Sequence, residues 1–119
     1  MDVPAEIVVT GRNVAVSNHY RSYIADKLAR LEHFNRHILR HDVELNREQN
    51  PRQSKSSLRV AITSRGKGPT VRAEARGADA HAVLDAAVGM LAGQLRRDHD
   101  RHQVHHHRHQ RMATGAGRA

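Results

Sequence analysis

A chain of 119 residues has room for one domain and a tail, not two cores. Hydrophobic residues make up 38% and cysteine is absent, which removes disulfides and thiolate zinc sites as supports of the fold. Lys and Arg number 20 against 12 Asp and Glu, a net charge of +8, and that excess favours a polyanionic partner, nucleic acid or an anionic membrane surface.

The charge is unevenly placed. Residues 1–50 hold seven basic and seven acidic side chains, whereas residues 51–119 hold thirteen and five. No apolar run approaches the roughly 18 residues of a membrane span, and the opening MDVPAE lacks the basic-then-apolar order of a secretory leader. A cytoplasmic protein is the expectation.

Residues 5–10, AEIVVT, read as a strand with Ile7 and Val9 on one face. Gly11-Arg12-Asn13 interrupts it, and Val14 and Val16 lead to Ser17, a helix N-cap. The first helix is expected from about Asn18 to Asn35, burying Tyr20, Ile24, Leu28 and Leu31. Tyr23, Lys27, Arg30 and Phe34 form the adjoining stripe, with the cationic heads beside the helix and their stems on the core.

Three alternating segments follow: 38–46 with Leu39, His41, Val43 and Leu45 inward, 57–65 with Leu58, Val60 and Ile62 inward, and 70–76 with Val71, Ala73 and Ala75 inward. Period-two alternation describes antiparallel strands with one dry and one wet face. The linker NREQNPRQSKS is long and polar, and GKGP makes a tight turn. Glu44 and Glu74 should neutralise Arg59, Arg72 and Arg76 across the wet face.

Asp79 should cap a second helix that buries Leu84, Val88, Leu91 and Leu95 and is softened by Gly89 and Gly93. The reading is an α+β domain, β-α-β-β-β-α, over residues 1–105. Its four-stranded, mostly antiparallel sheet carries both helices on the dry face. A basic, His-rich disordered tail occupies 106–119.

Enzyme motifs are missing: the sequence holds no P-loop, no G-x-G-x-x-G, no H-E-x-x-H and no nucleophile elbow. The pair Asp79 and His81 has nothing to orient it. His99, His102 and His106 share a helical face, and His105, His107 and His109 crowd beside them, a pattern able to chelate metal. Arg101, Arg108 and Arg111 oppose a cation there, so the expectation is no metal and no cofactor. The histidines then add charge beside phosphates.

RNA binding fits the residues best. Arg96, Arg97 and Arg101 extend the second helix, Arg21, Lys27 and Arg30 lie on the first, and Lys55, Arg65 and Lys67 occupy loops. Such cations displace counterions from phosphates. The strands carry no aromatic residue, which excludes a base-stacking sheet. The second helix lacks a bulky apolar insertion face, which argues against a membrane.

The segment VVTGRNVAVSNHYRSYIADKLARLEHF and residues 71–97, VRAEARGADAHAVLDAAVGMLAGQLRR, resemble the ribosome hibernation promoting factors, also called ribosome-associated inhibitor, protein Y or sigma modulation protein. The stretch from Asp42 to Ala75 resembles actinobacterial members of the long type. The resemblance covers about residues 5–105. It implies a layout like that of double-stranded RNA-binding domains. It also implies binding to the small ribosomal subunit and its rRNA across the mRNA and tRNA sites, inhibiting translation and stabilising idle ribosomes under stress.

The family's basic positions fall on Arg21, Lys27, Arg30, Arg96, Arg97 and Arg101. The sequence departs from the family pattern at His81, where tyrosine is usual, and at Gly89, Met90 and Gly93, where charged residues are usual. The long type carries a second domain that dimerises, and none is evident here. Two alternatives accompany this reading, a protein-interaction module of the sigma-modulation type and a metal-binding His-rich tail. No small-molecule substrate is implied.

Overall fold

The computed structural model describes residues 5–33, 38–49 and 56–114, with side chains described over 5–31, 38–48 and 57–97. The elements run β1 (Glu6–Arg12), α1 (Asn18–Ala29), a 3-10 turn (Arg30–His33), β2 (Ile38–Gln49), β3 (Ser56–Gly66), β4 (Val71–Gly77) and α2 (Ala80–Thr114). The strands lie in the order β1-β2-β3-β4. β1 pairs parallel with β2, and the other two pairs are antiparallel. A parallel neighbour needs a crossover, and α1 supplies it.

The register stacks inward residues in rows. Val9 lies opposite Val43, Val43 opposite Ile62 and Ile62 opposite Ala73, and Leu45, Val60 and Ala75 make the next row. Tyr20, Ile24, Leu28 and Leu31 from the first helical segment and Leu84, Leu91 and Leu95 from α2 cover these rows in a single core. Both helices therefore sit on one face of the sheet. Ala73 and Ala75 are small enough to let α2 lie close to β4. One row is polar: His41 Nδ1 and Ser64 Oγ are both buried and 2.7 Å apart.

Three local devices shape the chain. Ser17 caps α1, its hydroxyl accepting from the Tyr20 N–H at 3.1 Å, and Asp79 caps α2 by accepting from the His81 N–H at 3.0 Å. At Gly11 a Cβ would stand 2.6 Å from the Val14 carbonyl oxygen, so only glycine lets the chain fold back there. Asn13 turns the corner at φ 57°, a left-handed conformation that asparagine tolerates.

Several expected boundaries move. α1 ends at Ala29 and tightens into the 3-10 turn instead of continuing to Asn35, and Phe34 lies outside the described residues. β2 reaches Gln49 and pairs as far as Ser56, so the polar linker shortens to 50–55, outside the described residues. Leu39, expected inward, is 58% exposed, whereas Ile38 is buried. The register shifts between Ile38 and Arg40, which oppose Gly66 and Arg65. One extra residue is thus inserted, and a bulge reverses the alternation at that point. α2 passes through the boundary expected at 105 and runs to Thr114, because no glycine or proline interrupts residues 94–114.

Candidate nucleic-acid interface

α1 and α2 lie side by side with their N-termini together. The Tyr20 hydroxyl donates to the Ala80 carbonyl at 2.7 Å, and the Tyr23 hydroxyl donates to Asp85 Oδ1 at 2.7 Å. His81 meets both rings edge-on, 5.6 Å from Tyr20 and 4.6 Å from Tyr23 between centroids. These contacts fix which flank of each helix faces the other.

On α1 the facing flank carries Tyr23 and Lys27, and Arg30 follows at i+7 as the first residue of the 3-10 turn. On α2 it carries His81 and Asp85, and Arg96 recurs three turns later, within roughly 20° of Asp85 around the helix. Lys27 Nζ is 3.4 Å from Asp85 Oδ1 and 5.4 Å from the Tyr23 ring centroid. The Tyr23 hydroxyl, followed by the Lys27 ammonium, holds the Asp85 carboxyl below its usual range. The same bond raises the Tyr23 hydroxyl. The expected stem-on-core placement of Lys27 is observed, its side chain being 28% exposed, but its charge is anchored by a carboxylate that sequence reasoning passed over.

The groove turns cationic toward the C-terminal end of α1 and the middle of α2. Gln94 Nε2 donates to the Arg72 carbonyl at 2.8 Å, which places that level of α2 beside the start of β4 and the β3–β4 turn. Arg30, Arg96, Arg97 and the turn residue Lys67 are exposed around this end. The side chains of Arg30, Lys67 and Arg97 form no ion pair among the described residues. Arg97 lies about 100° around α2 from Arg96, so it widens the patch toward solvent.

Two expected site residues are placed elsewhere. Arg21 is in the first turn of α1, on the flank away from α2. Arg65 belongs to the outer face of the sheet, where it meets Asp42 at 3.6 Å. The Arg101 side chain lies outside the described residues, and Lys55 lies in the 50–55 gap.

The outer sheet face is laced with ion pairs. Arg12 meets Glu44 at 3.3 Å, Arg40 meets Asp42 at 2.9 Å, and Arg59 and Arg72 meet Glu74 at 3.6 and 3.5 Å. Arg76 reaches both Glu48 and Glu74 at 3.8 Å. Exposed pairs of this kind add little stability, yet they offset much of the positive charge of that face. Glu74 thus takes the three arginines expected from the sequence, whereas Glu44 pairs with Arg12 instead, and Asp42 and Glu48 join the network.

Comparison with known proteins follows the same fold. The chain is 53% identical over 102 residues to a ribosome hibernation promotion factor of Mycobacterium tuberculosis, covering 86% of this chain and 47% of that protein. A Deinococcus radiodurans protein of the same name is 34% identical, over 75% of this chain and 46% of its own length. The chain therefore spans about half the length of these two relatives. A ribosome hibernation promoting factor of Salmonella typhimurium is 30% identical, over 84% of this chain and 99% of that protein. The crystal structure of the Thermus thermophilus protein Y N-terminal domain superposes with a TM-score of 0.66 at 29% identity, over 80% of this chain and 98% of that one. With residues 7–103 matching its profile, the chain belongs to the family described as sigma 54 modulation protein / S30EA ribosomal protein.

Proposed function

We propose that this chain is a ribosome hibernation factor of the cytoplasm that binds the small ribosomal subunit through its rRNA. It occupies the channel that mRNA and tRNA require, so it blocks translation by occlusion rather than catalysis and preserves idle ribosomes. The observation that carries this reading is the asymmetry of charge. The arginines of the outer sheet face are matched by carboxylates, whereas Arg30, Lys67 and Arg97 stand exposed beside Arg96 at one end of the helical groove. A basic, helix-built surface suits the backbone of structured RNA. The relatives named for ribosome hibernation support it. No helix among the described residues is long and apolar enough to cross a membrane.

Within this reading Arg30, Lys67, Arg96 and Arg97 contact phosphates, with Arg101 one turn beyond; Lys27, held by Asp85, borders the patch, and Arg21 and Arg65 are peripheral. Replacing Arg96 and Arg97 together, Arg96→Glu with Arg97→Glu, is expected to abolish co-sedimentation with small subunits while leaving the circular dichroism spectrum unchanged. Undiminished co-sedimentation of the folded variant would refute the interface.

A further inference from the structure

The two edges of the sheet are finished differently. At β4 the inward residues Val71, Ala73 and Ala75 are buried beneath α2, and Gln94 of that helix donates to the Arg72 carbonyl. At β1 the apolar rows run out half-covered. Val43, Ile62 and Ala73 are buried, whereas Val9, which ends their row, is only half-buried, as are Ile7 and Val8. β1 ends the sheet, and no strand among the described residues pairs with its outer edge. The backbone N–H and C=O groups along such an edge are a template for another strand.

Charge on β1 selects the strand that fits. Ile7 and Val9 pack against the core, so parity sets Glu6, Val8, Thr10 and Arg12 on the outer face. The strand therefore carries a carboxylate at one end and a guanidinium at the other, both on one side. Glu6 is exposed and forms no ion pair among the described residues, unlike Asp42, Glu44, Glu48 and Glu74 on the same face. Arg12 meets Glu44, but its side chain is 68% exposed, and a guanidinium with five N–H donors has room for a second carboxylate. Laid antiparallel on a copy of itself, the segment Glu6–Arg12 overlaps fully only when centred on Val9. Glu6 then lies opposite Arg12 at both ends, Val8 opposite Thr10, Ile7 opposite Gly11, and Val9 opposite Val9. A register centred on Val8 would set Glu6 against Thr10 and leave Gly11 and Arg12 overhanging.

We propose that β1 is a self-association edge, on which a second copy of this chain lays its own β1 antiparallel in the register centred on Val9. The contact is isologous, the same strand serving both copies. Its two-fold axis runs through the sheet and keeps both inward faces on one side. The row Ala73–Ile62–Val43–Val9 then continues into its copy, and Val9 loses its remaining exposure. The two Glu6–Arg12 contacts are cross-strand pairs of opposite charge, and they hold the register. A joint of seven residues, about 24 Å long, is smaller than a standard protein interface, so the dimer is weak and forms as concentration rises. α2, which carries Arg96 and Arg97, lies over β3 and β4, so pairing at β1 does not draw on those arginines.

The test is sedimentation velocity on the full chain at physiological salt, with circular dichroism as the check of folding. A monomer–dimer equilibrium is expected below about 1 mM, and amide exchange within Glu6–Arg12 should slow as the dimer forms. Glu6→Lys and Arg12→Glu each set like charges opposite one another at both ends of the joint, and each should weaken dimerisation at least tenfold. The first raises the net charge and the second lowers it, so weakening by both separates strand pairing from general repulsion. Combining them, Glu6→Lys with Arg12→Glu, exchanges the partners and should restore dimerisation to within about threefold of the unsubstituted chain. A chain that stays monomeric up to about 1 mM, or a dimer whose β1 amides exchange no more slowly, would overturn the proposal. So would a dimer indifferent to either single substitution, or a folded double variant that fails to recover.

Discussion

Tyr20 joins the helices through its hydroxyl bond to Ala80 and its ring against His81, and at 8% exposure it is poorly placed to ionise. Burial, reinforced by the negative charges of Tyr23, Asp85 and Asp79, pushes its pKa from 10.0 up to about 12. The folded chain therefore keeps this proton to higher pH than the unfolded chain does. The stability tied to it is complete below pH 10 and drains away as pH rises through 12. Tyr20→Phe should cost about 1 kcal/mol near neutrality through the lost hydrogen bond. In urea denaturation it should also flatten the decline between pH 10 and 12, and equal alkaline slopes for the two chains would contradict this account. Helical spacing alone marked Tyr20 as a core residue. Its partner was not legible, because a backbone carbonyl sixty residues away has no signature in sequence.

α2 illustrates the same contrast between pattern and context among the elements. Gly89 and Gly93 weaken its middle, and a Cβ at either position meets nothing within 4 Å. Gly89→Ala with Gly93→Ala should therefore stabilise the protein by roughly 1 kcal/mol per site, read as a raised denaturation midpoint without change in fold. A lowered midpoint would mean that the outer face of the helix is covered. Alternation identified β2, β3 and β4, and helical spacing identified both helices, because burial imposes period two or 3.6 on the residues. The Leu39 bulge escaped because an inserted residue preserves composition while shifting phase. The extended helix end escaped because a histidine-rich segment without apolar spacing reads as tail, although nothing before Gly115 breaks it. The parallel pairing of β1 escaped as well, since its short alternation fits either direction.

Charge acts on the whole molecule, and sequence captured its amount better than its distribution. Of the thirteen basic residues after position 50, Arg59, Arg65, Arg72 and Arg76 are spent on carboxylates of the outer sheet face. Arg30 and Lys67, one from each half of the chain, are both exposed and form no ion pair among the described residues. Parity along a strand predicts which side an arginine takes, but the carboxylate opposite it depends on register, which only the assembled sheet supplies. This division predicts different salt responses for two pairs of substitutions. If affinity for the small subunit rests on phosphate contacts, its logarithm falls linearly with the logarithm of salt, by roughly 0.7–0.9 per contact. Arg30→Gln with Lys67→Gln should lower that slope by about 1.5 and weaken binding most at low salt. Arg72→Gln with Arg76→Gln, which removes the same formal charge from the paired sheet face, should leave the slope near wild type. Equal slopes for the two double variants would show that only net charge matters, and the groove would lose its claim to be the RNA-gripping surface.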